Sequence, residues 1–299
     1  MRRSSRSEGP GQSPAPRGAS RLGWLGLLPF ASYIAIFLAL PTILAVSSGL
    51  FDGDGVFTLD NFMVLVNPVI LRTFLDSAWL SLLTAAIGAV TGALVCYAML
   101  GLREGGPIRS AVDAASGVLA QFGGVMLAFA FIATIGQQGV VTLFLKDHAG
   151  VNIFENGVWL YELPGLILPY VFFQVPLMVI TFMPALTALR PQWVEANLAL
   201  GGDRMSFWTR VGMPILAPSF FAGVLLLFAN AFSSYATAAA LVSQGSQIVP
   251  LQIRAALTSE TVLGRENLAG VLAFGMILVV GIVMAAYSLI QRRAARWQS

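Results

Sequence analysis

The sequence predicts an all-α integral membrane protein with six transmembrane helices. Three observations carry that reading. With 57% hydrophobic and only 10% charged residues, and a mean hydropathy of +0.79, the chain has too little polar surface to cover a soluble globule of 299 residues. Six apolar stretches are each long enough to cross a bilayer, which takes about 20 residues. The basic residues, finally, gather on alternate connections.

In chain order, residues 1–21 are rich in Ser, Gly, Pro and Arg without apolar periodicity, and read as a disordered cytoplasmic tail. Leu22 to Leu50 is longer than the apolar region of a signal peptide and carries Trp24 at one edge, so it reads as a retained first span. Five more spans follow at Ser77 to Leu100, Ala111 to Ile135, Pro164 to Leu189, Ile215 to Val242 and Leu268 to Ile290. Ser110 followed by Asp113 suggests a capping box at the start of the third span, and Arg72 with Asp76 an i, i+4 surface pair before the second. Gly136 to Leu163 reads as an external loop holding Lys146, Asp147 and His148.

Six spans put both termini on one side. Lys and Arg favour the face that holds the tail, the Gly101 to Arg109 turn, the Arg190 to Arg210 loop and Arg292, Arg293 and Arg296. The other face has Arg72, Lys146, Arg254 and Arg265. The positive-inside rule therefore predicts cytoplasmic termini. The domain plan is a tail at 1–21, a six-helix membrane domain at 22–291 and a short cytoplasmic tail at 292–299.

Scarcity excludes several functions. One Cys (Cys96), one His (His148) and one Lys (Lys146) leave no material for a zinc cluster, an intrachain disulfide or a hydrolytic triad. Lys146 follows Leu145, so the lysine of a GxxxxGK[ST] phosphate loop is missing. The formal charge of +3 sits at segment ends, where topology explains it without a nucleic-acid partner. No metal site, catalytic residue or bound cofactor is expected, and Cys96 reads as packing.

Polar residues inside spans must find partners or line a wet cavity. Asn230, Ser233, Ser234 and Thr237 are spaced i, i+3, i+4, i+7 on the fifth span, which predicts one polar stripe that serves either a solute path or interhelical bonding. Gln121 in the third span and Gln174 in the fourth leave the same two readings open. Pro164, Pro169, Pro176 and Pro184 invite kinks in the fourth span. No deep Asp or Glu is present to couple a proton or sodium ion, which points to an external energy source.

The stretch Arg190 to Pro218 is amphipathic between two apolar spans. Pro191 suits a helix first turn, Gly201-Gly202 its end, and Asp203 the cap of a second short helix carrying Met205, Phe207, Trp208 and Val211. A cytoplasmic helix exposing such side chains fits helix-in-groove recognition. Glu195-Ala196-Asn197, three residues, Gly201, nine residues and then Val211-Gly212-Met213-Pro214 resembles the EAA loop of permease subunits in binding-protein-dependent ABC importers. That pattern reads EAA, x3, G, x9, I-x-L-P, and Asn197, Val211 and Met213 depart from it.

The resemblance, covering about Leu22 to Arg296, implies the type I importer permease fold. It implies further that residues 190–214 form a coupling helix docking into an ATP-binding subunit through Glu195, Ala196, Asn197, Gly201, Phe207, Val211 and Pro214. ATP would be bound by that partner. Two permeases, the second a paralogue, two ATPases and an extracytoplasmic solute-binding protein would form the importer in a bacterial inner membrane. The path for solute would draw on Gln121, Gln174, Asn230, Ser233 and Thr237. Segments Phe57 to Phe62, Ile70 to Met99 and Val249 to Ser259 look similar to polyamine, phosphonate and ferric-ion permeases, which implies a polyamine or comparable small charged organic solute. Sugar or glycerol-phosphate permeases share parts of the pattern. An ion-coupled carrier acting alone is the reading of a different class.

Overall fold

The computed structural model describes residues 21–51, 55–103, 105–155, 157–242, 248–258 and 265–295. Most of the tail expected at 1–21, and residues 296–299 of that expected at 292–299, lie outside the described residues. The chain divides into two compact units, Met1–Ala45 and Val46–Ser299. The described part of the first is one rod: α1 (Arg21–Ile34), a π-helical stretch (Ala35–Ala39), and α2 (Leu40–Ser48), which runs across the division. Pro41 has no N–H for the carbonyl of Phe37, and its ring would crowd that carbonyl. The widened π stretch just before it relieves both.

In the second unit every long element is helical, and among the described residues the only extended pairing is a bridge between Phe51 and Phe57. Its helices are α3 (Pro68–Met99), α4 (Pro107–Leu119), α5 (Gly124–Ile135), α6 (Val140–Ala149), α7 (Ile167–Thr187), α8 (Pro191–Ala199), α9 (Arg204–Phe207), α10 (Met213–Phe232), α11 (Ala236–Leu241), α12 (Val249–Thr258) and α13 (Arg265–Ala295). Over the two units, six segments are long and apolar enough to cross a membrane: Leu27–Ser48, Pro68–Met99, Gly124–Ala149, Leu163–Thr187, Arg204–Phe232 and Asn267–Ile290.

Several expectations need correction. The second span begins at Pro68 rather than Ser77, because the Asn67 side chain accepts from the Val69 N–H at 3.0 Å and Pro68 fits the first turn. Arg72 and Asp76 therefore pair at 4.0 Å within α3 itself. Ala111 to Ile135 is not one helix: α4 and α5 are separated by a turn at 120–123, where Gly124 adopts φ +74° and interrupts the ladder. Ser110 already donates its N–H to Gly106 O inside α4, so the Ser110–Asp113 capping box does not form. Part of the expected external loop is helix α6, closed by Gly150 at φ +66°, with His148 stacked on Phe144 at 4.5 Å. The fifth span, expected unbroken to Val242, ends its long helix at Phe232 and resumes at Ala236.

The parallel pair α3 and α7, on which Gly88 meets Gln174, Gly92 meets Met178 and Cys96 meets Val179 in step, forms the centre of this unit, with α10 against both and α4 against α7. Small residues allow the approach. A Cβ on Gly92 would lie 2.6 Å from the Met178 Cβ, and one on Gly223 2.7 Å from its sulfur, so α3 and α10 close on Met178 from two sides. One core cluster gathers Leu80, Leu127, Leu160, Tyr170 and Phe173, and a second gathers Cys96, Met99, Met178, Phe182 and Leu216. Cys96 is fully buried in the second, its thiol 3.7 Å from Val179 O.

Candidate functional site

The loop between the fourth and fifth spans is built by local rules. Pro191 occupies the first turn of α8, where a missing N–H costs nothing. At its end Gly201 N–H donates to Leu198 O at 2.9 Å and Gly202 N–H to Asn197 O at 2.9 Å. These two bonds are the Schellman arrangement, which needs a left-handed residue, and Gly201 supplies it at φ +77°. Asp203 Oδ1 accepts from Ser206 N at 2.7 Å and caps α9. A π-helical turn, Trp208–Gly212, then joins α9 to α10 without a break, again directly ahead of a proline, Pro214. Gly212 leaves room for the Trp208 ring: a Cβ there would be 2.7 Å from Trp208 Cε3.

The motif residues divide by placement. Glu195, Ala196, Gly201 and Pro214 are exposed, along with Val194, Leu198, Met205 and Leu200, the last at 89%. Val211 is half-buried. Phe207, expected among the outward-facing side chains, is only 5% exposed; its ring lies 5.7 Å from that of Trp208 and it anchors the loop from inside. Asn197 also turns inward. Its Nδ2 donates to Asp203 O at 3.0 Å and its Oδ1 accepts from Ser206 Oγ at 3.3 Å, so it ties the end of α8 to the start of α9. From the loop, Arg204 Nη2 donates to Tyr97 OH of α3 at 2.6 Å, and the Trp208 ring meets Tyr97 edge-on at 5.4 Å.

The five residues expected along a path are scattered. Gln121 is exposed in the turn between α4 and α5. Asn230 and Ser233 are exposed at the end of α10, and the Ser233 hydroxyl donates back to Ala229 O at 2.8 Å. Because α10 stops at Phe232, Thr237 is not on the face of these two; it is fully buried and accepts from Gly124 N at 2.9 Å, tying α11 to α5. The single stripe predicted for Asn230, Ser233, Ser234 and Thr237 is thus interrupted at 233–235. Gln174 is fully buried and donates from Nε2 to Thr84 Oγ1 at 3.0 Å, while its Oε1 has no hydrogen-bond partner. A cavity of about 330 Å³ between α7, α10 and α13 is lined instead by residues including Thr181, Ser219, Gly223 and Tyr287.

One polar stripe escaped the sequence reading. Thr73, Ser77, Ser81 and Thr84 run down a buried face of α3, each hydroxyl donating one turn back, to Val69, Thr73, Ser77 and Leu80 carbonyls at 2.7 to 3.1 Å. Ser77 Oγ also accepts from Val249 N at 2.9 Å and so holds the start of α12. The i, i+4, i+8, i+11 spacing was the available signal.

The six apolar segments and the loop between the fourth and fifth share the fold of ABC importer membrane subunits. A chain of the bacterial alginate ABC transporter, solved in complex with an alginate pentasaccharide-bound periplasmic protein, matches with a TM-score of 0.72 at 18% identity, over 91% of this chain and 94% of that one. The chain's homologues are ABC transporter permeases. A probable ABC transporter permease protein of Sinorhizobium fredii, y4fN, is 24% identical over 267 residues, 88% of this chain and 45% of that protein. The putative ferric transport system permease protein FbpB 1 of Haemophilus influenzae is 23% identical over 210 residues, 70% of this chain and 32% of it. The chain therefore spans less than half the length of these two relatives. The trehalose transport system permease protein SugB of Mycobacterium tuberculosis is 24% identical over 237 residues, 79% of this chain and 78% of that protein. No protein-family model matches the chain.

Proposed function

We propose that the chain is the non-catalytic permease subunit of an ATP-driven, binding-protein-dependent importer in a bacterial inner membrane, with both termini cytoplasmic. The observation that carries this is the loop 190–214: an EAA-like sequence folded as a capped, outward-facing helix between the fourth and fifth spans of an importer-like fold. In this reading Glu195, Ala196, Gly201 and the apolar side chains of Val194, Leu198 and Leu200 meet a groove of an ATPase subunit, while Asn197, Phe207, Val211 and Pro214 hold the loop in shape. ATP is bound by the partner, and nucleotide-driven closure shifts the permease between inward-open and outward-open populations. A second permease, a paralogue or a copy, and an extracytoplasmic solute-binding protein complete the assembly; the alginate transporter's periplasmic protein supports the latter by analogy of fold.

For the solute we propose a polyamine or comparable small charged organic molecule. Relatives are named for ferric, sulfate and spermidine/putrescine transport, so charged cargoes recur. A sugar is the second reading, favoured by the match to the trehalose permease over most of both chains. Gln174, Asn230 and Ser233 remain candidates for the path, with Gln121 and Thr237 assigned to turn and packing positions.

The test is uptake in proteoliposomes containing the chain with its co-encoded ATPase and binding protein, with labelled spermidine and trehalose as competing probes. ATP-dependent uptake is expected, lost in the Glu195→Ala, Gly201→Pro double variant together with ATPase co-purification. Uptake without any ATPase would establish the ion-coupled carrier instead, and retained coupling in the double variant would overturn the docking assignment.

A further inference from the structure

We propose that an anionic phospholipid occupies the groove between α3, α7 and α10, its acyl chain along the helices and its phosphate on Arg204. The groove measures about 610 Å³, and its walls are hydrocarbon, with Val90 and Leu94 on α3, Phe182 and Leu186 on α7, and Phe220 and Phe221 on α10. A polar cargo would lose its hydrogen bonds there without replacement. Along α3 the lining from Val90 to Tyr97 covers about 10 Å at about 1.5 Å per residue, within reach of a chain from one leaflet of a hydrocarbon core about 30 Å thick.

The mouth of the groove has a different chemistry. Tyr97, Met205 and Trp208 line that end. Tyr and Trp are the residues that sit at headgroup depth. Arg204 is exposed there, its guanidinium carbon 5.9 Å from the Tyr97 ring centroid and one N–H given to the Tyr97 hydroxyl. That contact steers the cation over the groove while leaving donors of the fork for a ligand. Guanidinium forks match phosphate geometry, and basic pockets between spanning helices on the cytoplasmic side recruit anionic headgroups. An apolar helix from another subunit would fill the hydrocarbon part but bring no charge for Arg204; an anionic lipid satisfies both parts. The proposal rests on the cytoplasmic placement of the loop proposed above, but not on ATPase docking.

The test uses the full chain in nanodiscs doped with either dibromostearoyl phosphatidylglycerol or dibromostearoyl phosphatidylcholine. The Trp208 component of the fluorescence is isolated by subtracting a Trp208→Phe variant from the wild type, since the chain has 6 tryptophans. The anionic lipid is expected to quench that component about fivefold more effectively at equal mole fraction, as one basic group near the surface allows. Arg204→Gln abolishes the preference, Arg204→Lys restores part of it, and Ala93→Phe, which fills the groove, lowers quenching by both lipids. Equal quenching by the two headgroups, or a preference that survives Arg204→Gln, would show ordinary annular lipid and overturn the proposal. Protection of Trp208 from both lipids would also overturn it, in favour of a subunit helix as occupant.

Discussion

Asn197 stands where the EAA pattern has alanine, so Asn197→Ala asks what the departure does. The change removes a bond to Asp203 O at 3.0 Å, worth about 1 kcal/mol, and a longer one from Ser206 Oγ at 3.3 Å, worth about half that. Alanine returns about 0.5 kcal/mol through its better helix propensity. The net loss is about 1 kcal/mol, roughly fivefold in a local opening equilibrium at 1.4 kcal/mol per decade. Amide hydrogen exchange at Ser206 and Phe207, whose N–H groups bond to Asp203, should therefore speed up about fivefold, with the amides of α3 and α7 unchanged. Ser206→Ala, which cuts only the longer of the two Asn197 bonds, should move the rate by less than half as much on a logarithmic scale. Unaltered protection in Asn197→Ala would refute the strut.

Other substitutions give separate readouts. Gly201→Ala forces a side chain into φ +77° at a cost of about 1–2 kcal/mol, and Gly201→Asn should cost less; thermal denaturation of the detergent-solubilised subunit orders them. Gly92→Ala would set a Cβ 2.6 Å from Met178 and 2.8 Å from Val175 O, so α3 and α7 must part and stability should fall by about 1–3 kcal/mol; a neutral effect would contradict the close packing. Thr84→Val strands the buried Nε2 of Gln174 and should cost about 1–3 kcal/mol, whereas Gln174→Leu removes an already unpaired oxygen with it and should be near neutral in the same assay.

The six spans and the loop were legible because both are written in composition and short-range pattern: apolar length for the spans, and Pro191, Gly201 and Asp203 for the start, end and restart of the loop helices. What was not legible depends on single backbone events inside apolar runs. Gly123-Gly124 breaks the third segment, and the Ser233 hydroxyl, returned to Ala229 O, closes α10 three residues before α11 begins. Periodicity ran through both interruptions because hydrophobicity does not change there. Phe207 and Asn197 were misplaced for another reason. In a loop helix only half a turn separates outside from inside, and their direction is set by contacts with Trp208, Asp203 and Ser206.

The broken fifth segment makes the path assignment testable residue by residue. Were the stripe continuous, cysteines at Asn230, Ser233 and Thr237 would share one accessibility. With α10 ending at Phe232, they should not: Asn230 and Ser233 are exposed, whereas Thr237 is enclosed and holds the Gly124 N–H. In a Cys96→Ala background, Asn230→Cys and Ser233→Cys should react with a small aqueous methanethiosulfonate, at rates that change with nucleotide if they face the proposed path. Thr237→Cys should stay inert in every nucleotide state and lower thermal stability by about 1 kcal/mol, because it takes the hydroxyl acceptor from the part-buried Gly124 N–H. Nucleotide-dependent labelling at all three would restore the continuous stripe and refute the break as a feature of the working transporter. Inert cysteines at Asn230 and Ser233 would leave the route to the cavity beside Thr181, Ser219 and Tyr287, where the same labelling series can be repeated.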